Sequence, residues 1–217
     1  MLTVDGLEVA IKAVRILRGV EMRVEAGQLV GLVGRNGAGK TTLMRAVIGA
    51  LAPRAGAIAL EGRPLLAVPG HARARMGIGY MPEDRRIIPQ LTVEENLMLP
   101  AWAAGQGERG RERLERIYRL VPEVEALKDR RGLELSGGQQ KLTALARALM
   151  SGTKLLLLDE PFEGVAPVLA RRLAEVIRSL RREGLSVVVS ESDLSRSREL
   201  VDVVYRIDRR AVTRADP

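Results

Sequence analysis

Four short stretches combine residue types and spacings that can do chemistry. Residues 34–42 read GRNGAGKTT, with glycines at 34, 37 and 39 ahead of Lys40, Thr41 and Thr42. Set between an apolar strand and a helix, such glycines let the backbone curl. The N–H groups of Gly34, Arg35, Asn36, Gly37, Ala38 and Gly39 can then face a phosphate at the helix N-terminus. Lys40 is placed to reach the outer phosphates of a nucleotide, and Thr41 to offer its hydroxyl to Mg²⁺, with Thr42 beside it. Residues 155–161, LLLLDEP, end an apolar run in Asp159 and Glu160. Asp159 suits a Mg²⁺-holding carboxylate, and Glu160 a general base that polarises an attacking water. In LSGGQQ, residues 135–140, Ser136 and the N–H groups of Gly137, Gly138 and Gln139 form a second anion-binding end. Two such ends on one chain imply two nucleotides, and so a head-to-tail pair of chains. The fourth stretch, VVVSESDL (187–194), closes a valine strand with two hydroxyls, two carboxylates and no histidine. A Gly-rich turn, an Asp-Glu-Pro turn and a Ser helix cap are the structural alternatives for the first three. The complete Gly-Lys-Thr spacing sets the first aside, and its presence upstream decides the second.

Elements must hold these groups in place. LVGLV (29–33) is expected as a buried strand, followed by a helix through TTLMRAVIGA. AIALEGRPL (57–65) has the alternation of an antiparallel excursion, and GIGYM (77–81) is strand-like. Thr92 has the character of an N-cap, with Glu94 and Glu95 in the first turn of the helix it opens. AWAAGQGERGRER (101–113) reads as a mobile connection into a basic helix through Leu114, Ile117, Tyr118 and Val121. A long helix is expected after Ser136, and LLLLD and SVVVS as two further buried strands. The sum is an α/β fold in a single domain, residues 1–217, with a helical insertion near 84–135.

Composition narrows the function classes. The 217 residues are 46% hydrophobic but only 2% aromatic, so Ala, Leu, Val and Ile must build the core. Cysteine is absent and His71 is the one histidine, which excludes disulfides and thiolate metal sites and argues against structural zinc. His71 itself reads as a surface residue. No apolar run reaches the ~18 residues of a membrane span, and MLTVDGLEVA lacks the regions of a secretory signal, so a cytoplasmic location is expected. The net charge of +8 comes mostly from arginines spread along the chain, so no nucleic-acid partner is expected.

In this order and spacing, the phosphate loop, LSGGQ and LLLLDE resemble the ATP-binding subunits of ABC transporters over essentially the whole chain. The resemblance implies a P-loop NTPase core with a mainly parallel sheet, an antiparallel β subdomain and a helical insertion. It also implies ATP hydrolysis with Mg²⁺, a second ATPase subunit, polytopic membrane permease subunits at the inner face of the membrane, and indirectly an extracytoplasmic solute-binding protein. YMPEDRRIIPQLTVEENL (80–97) and DEPFEGVAP (159–167) are most similar to the branched-chain amino acid importer ATPases, with Glu83 where most relatives have Gln. Glu83 to Leu97 is the expected coupling surface. Urea or amide importers, and soluble ABC ATPases of DNA repair or cofactor assembly, stay open as alternatives. LSGGQQ and the lack of an Asn-Lys-x-Asp motif argue against a GTPase or kinase.

The chain departs from the family at several places. Relatives stack adenine on an aromatic residue, where this register places Ile11; no aromatic precedes Tyr80. Such stacking is worth about 1–3 kcal/mol, so nucleotide affinity is expected to lean on the phosphate contacts. Relatives carry a switch-loop histidine where this chain has Ser192, and Glu191 and Asp193 beside it read as loop or partner contacts. Ala166 stands where many relatives have Asp, and Arg210 where they turn on Gly.

Overall fold

The computed structural model describes residues 1–193, 198–208 and 211–215. Two sheets organise the chain. Strands β1 (Leu2–Ile11), β2 (Val14–Val24), β4 (Ala55–Leu60) and β5 (Arg63–Pro64) form an antiparallel sheet in the order β2-β1-β4-β5. The second sheet has the order β10-β9-β3-β8-β7-β6, from β3 (Leu29–Val33), β6 (Ile78–Met81), β7 (Leu155–Asp159), β8 (Ser186–Glu191), β9 (Val203–Asp208) and β10 (Ala211–Ala215). All its pairings are parallel except the β9–β10 hairpin. Arg210 lies outside the described residues.

The central parallel strands β3, β7 and β8 are buried at every position because both faces are covered. Leu29, Val33, Leu156, Leu158, Val187 and Val189 turn to one side. They pack there with α3 (Val93–Ala103), α4 (Gly107–Leu120), α5 (Pro122–Glu125), α6 (Gly137–Ser151) and α7 (Pro167–Arg182). Val30, Leu32, Leu155, Leu157 and Val188 turn to the other side, onto α1 (Lys40–Val47) and the antiparallel sheet. Each aliphatic side chain buried this way contributes about 1.5–3 kcal/mol. Helix α1 is shorter than the sequence suggested. Its last carbonyls, Ala46 and Val47, accept from Arg73 of α2 (Gly70–Arg75), both at 2.8 Å.

Residues 84–135 hold α3, α4, α5 and a 3-10 turn at Gly132–Glu134. Thr92 caps α3 as expected, in a reciprocal capping box with Glu95. The mobile connection expected over 101–113 is absent. Helix α3 runs to Ala103 and α4 starts at Gly107, leaving three residues between. Of its three glycines, Gly110 misled because it serves packing. It is buried in α4, and a Cβ on it would stand 2.5 Å from the Cβ of Ala101, whereas one on Gly105 or Gly107 would meet nothing within 4 Å. Asn96, which the sequence reading passed over, is fully buried and pins the preceding loop. It accepts from the Ile88 amide and donates to the carbonyls of Ile88, Leu91 and Thr92.

Candidate active site

The loop after β3 is shaped by its own glycines. Gly37 and Gly39 adopt φ of 81° and 116°, and a Cβ on Gly34 would lie 2.4 Å from the carbonyl oxygen of Ile207 in β9. Two amides expected to face a phosphate brace the loop instead: Gly34 donates to the Glu191 carbonyl and Ala38 to the Arg35 carbonyl. Arg35, Asn36 and Gly37 are exposed. Lys40, 5% exposed, donates to the Gly34 carbonyl at 2.6 Å and pairs with Glu160 at 2.9 Å.

A cleft of about 300 Å³ opens beside this loop. Asn36, Gly37, Gly39, Lys40, Thr41 and Thr42 line one side, and Glu83, Glu160 and Ile16 complete it. The carboxyl of Glu83 is pushed up, by burial first and then by Glu163, Asp159, Glu160 and Asp84. Ile11 does not line the cleft. It sits 42% exposed at the β1–β2 hairpin tip, paired with Val14, whereas Ile16 of β2 reaches the phosphate loop. The β1–β2 pairing with its register shifts carries Ile16 to the loop, and no sequence periodicity announces that.

Asp159 is fully buried at the end of β7. One oxygen accepts from the Tyr80 hydroxyl at 3.1 Å and the other from the Ser190 hydroxyl at 2.6 Å. Burial, and then the Asp159 charge, push the Tyr80 hydroxyl well above its ordinary value. Thr41, half-buried, and Asp159 are hard oxygen donors of the kind Mg²⁺ accepts. Among the described residues no group of three or more His, Cys, Asp or Glu could hold a metal ion.

Glu160 is 4% exposed and has φ of 48°, in the left-handed region. Its amide lies 3.2 Å from both the hydroxyl and the carbonyl of Ser190. Its second carboxylate oxygen, Oε2, is buried with no hydrogen-bond partner among the described residues. Glu191, expected in a loop or a partner contact, instead ends β8, buried, and accepts from the Phe162 amide at 3.3 Å. Burial, then the charge of Glu160, raise its carboxyl to about 8, against the pull of the Phe162 amide and Lys141. The apolar run before it is the signal for its burial, since a parallel strand is covered on both faces to its end. Ser192, by contrast, is exposed and does not line the cleft.

Ser136 caps α6 with its hydroxyl accepting from the Gln139 amide at 3.3 Å, while the Gln139 side chain accepts from the Ser136 amide at 2.9 Å. The Gln139 amide is therefore engaged within the cap, which corrects the expectation that it faces an anion. Ser136 and Gly137 are exposed at this helix end. The geometry thus gathers Lys40, Thr41, Glu83 and Glu160 at one cleft, with Asp159 behind it and the Ser136 end outside its lining.

The sequence profile of the family described as "ABC transporter" matches residues 17–163, more than half of the chain. The high-affinity branched-chain amino acid transport ATP-binding protein BraG of Pseudomonas aeruginosa is 35% identical over 208 residues, covering 96% of this chain and 89% of the relative. The lipopolysaccharide export system ATP-binding protein LptB of Escherichia coli is 36% identical over 210 residues, covering 94% and 85%. Among solved structures, an ATP-binding subunit of an ABC transporter matches with a TM-score of 0.87 and 28% identity, covering all of this chain and 90% of the other.

Proposed function

Because the chain belongs to the ABC transporter family of ATPases, we propose that it drives a membrane importer, with Lys40, Thr41, Asp159 and Glu160 forming its hydrolytic site. The observation that carries this is the meeting of Lys40 and Glu160 at 2.9 Å across one cleft with Thr41 and Glu83. An entering triphosphate offers Lys40 better acceptors than a single carboxylate does. The ammonium then moves to phosphate oxygens and leaves Glu160 free to polarise a water. The water oxygen attacks the γ-phosphorus, the bond to the ADP oxygen breaks, and the water proton passes to Glu160. Thr41 would hold Mg²⁺ directly and Asp159 through water, and the bound ion would supply neutralisation of phosphate charge. Glu83 lines the cleft and begins segment 83–97, the coupling surface toward the permeases, in which Ile88 is an exposed apolar residue.

The Ser136 end of α6 serves the nucleotide of a second ATPase subunit in a head-to-tail pair, and polytopic permeases carry the substrate. Among the described residues no helix is long and apolar enough to cross a membrane, which suits a subunit docked at the inner face. Branched-chain amino acids are the proposed cargo, supported by segments 80–97 and 159–167 and by the Pseudomonas relative. The Escherichia relative, of comparable identity, favours lipopolysaccharide export as a second reading.

Reconstitution of the chain with the membrane proteins encoded beside it tests both. Stimulation of ATP hydrolysis by a solute-binding protein loaded with leucine, isoleucine or valine supports the importer. Stimulation by lipopolysaccharide alone supports the second reading, and co-purification with nucleic acid instead of membrane proteins overturns both.

A further inference from the structure

Lys141 lies in the second turn of α6 with its side chain only 2% exposed. Its ammonium donates to the Glu160 carbonyl at 2.9 Å and to the Glu163 carbonyl. Both acceptors are main-chain groups, and burial, then the charge of Arg85, pull its proton affinity down. A buried lysine is uncommon, and its long stem ordinarily carries the charge out to water. Leucine or methionine would fill this site without desolvating an ammonium. The charge therefore has another task.

That task is visible in the turn it holds. Glu160 needs a side chain for its chemistry, yet its φ of 48° suits glycine. Such a conformation persists only where the surroundings over-determine it. Ser190 of β8 takes the amide side of Glu160, and Lys141 takes the carbonyl side. The Glu163 amide also reaches the Glu160 carbonyl, at 3.3 Å, so Lys141 binds both ends of the turn. Lys141 is anchored on the same helix that begins at Ser136.

We propose that Lys141 is a positioning residue for hydrolysis: by clamping the carbonyls of Glu160 and Glu163 it ties the catalytic carboxylate to the position of α6. On the head-to-tail reading above, on which this inference rests, the N-terminus of α6 meets the nucleotide of the paired subunit. The clamp then makes hydrolysis at one nucleotide depend on the seating of the other.

The test compares Lys141→Met, Lys141→Arg and Glu160→Gln in the full chain with ATP and Mg²⁺, alone and with its membrane partners. Lys141→Met keeps the apolar stem but takes the donor from two buried carbonyls, so it is expected to fold with a lowered melting temperature. It should bind ATP within about threefold of the parent while kcat falls at least about tenfold at unchanged KM. Lys141→Arg, which can still donate to two carbonyls, should recover part of that rate. A Lys141→Met kcat within about threefold of the parent overturns the inference, as does a rate loss matched by equally weakened ATP binding. Should Lys141→Met fail to fold, Lys141→Gln, which keeps one donor, is read by the same criteria. If Glu160→Gln itself keeps its rate, the hydrolytic reading fails. If Glu160→Gln is inactive while Lys141→Met is not, only the clamp fails.

Discussion

The loop after β3 and the turn after β7 open from the same edge of the parallel sheet, separated by β8. The first owes its shape chiefly to its own residues: positive φ at Gly37 and Gly39, and a Gly34 too close to Ile207 for any side chain. The second holds a non-glycine residue in a glycine conformation, and its supports come from elsewhere, Ser190 and Glu191 on β8 and Lys141 on α6. A phosphate cradle is a backbone object, and glycine can make one locally. A carboxylate aimed at a water needs its side chain, so the strain must be met by partners from other elements.

Substitutions should therefore separate the two loops. The largest effect is expected for Glu160→Gln, which keeps the shape and removes the base. Its turnover should fall about 10²–10⁴-fold with ATP binding intact. Parent-like hydrolysis by this variant would remove the turn from the chemistry. Next comes Gly39→Ala, where φ of 116° adds to a Cβ 2.7 Å from Leu17. Gly37→Ala, with φ of 81° and nothing within 4 Å, is the control. Backbone strain alone costs about 1–3 kcal/mol, so Gly37→Ala should lose no more than that in denaturant unfolding. Gly39→Ala should lose more and bind ATP weakly. Equal losses would mean that packing against Leu17 is irrelevant.

This contrast also explains what could be read in the sequence. GRNGAGKTT, the strands LVGLV and LLLLD, and the Thr92 and Ser136 caps are patterns over a few adjacent residues, and each appears where its pattern puts it. What escaped depends on separate elements meeting. Gly110 is a helix-packing residue only because Ala101 faces it, and Ile16 lines the cleft only through the pairing of β1 with β2. Glu191, expected as a loop or partner contact, ends β8 buried, and Lys141, which the sequence reading did not single out, is buried under the turn after β7.

The turn's remote supports can be probed by pH. The Glu191 carboxyl moves from an ordinary 4.5 to about 8 on folding, so the folded chain holds the extra proton between those values. Its stabilising contribution is present at low pH and is lost as the pH rises through about 8. Glu191→Gln stays in the neutral form. Its melting temperature should gain on the parent's as the pH is raised from about 5 to about 9. A constant difference across that range would show that Glu191 is not buried beside Glu160. The smallest effect is expected at Ser192, exposed and outside the cleft lining. Ser192→Ala should lower steady-state hydrolysis by less than about tenfold; a deficit as deep as that of Glu160→Gln would bring the SESD segment into the chemistry.

Strand β3 has a further consequence, for how the chain is made. It occupies residues 29–33, yet its two neighbours, β8 and β9, come from 186–191 and 203–208. During synthesis this all-apolar strand leaves the ribosome with both edges open and keeps them open until most of the chain has followed. Unpaired apolar edges are templates for association with other chains. The parallel sheet cannot close progressively from the N-terminus; it closes late, around β3. A product released before residue 186 would carry the complete phosphate loop on a strand with neither neighbour, and its fate would be aggregation rather than partial function.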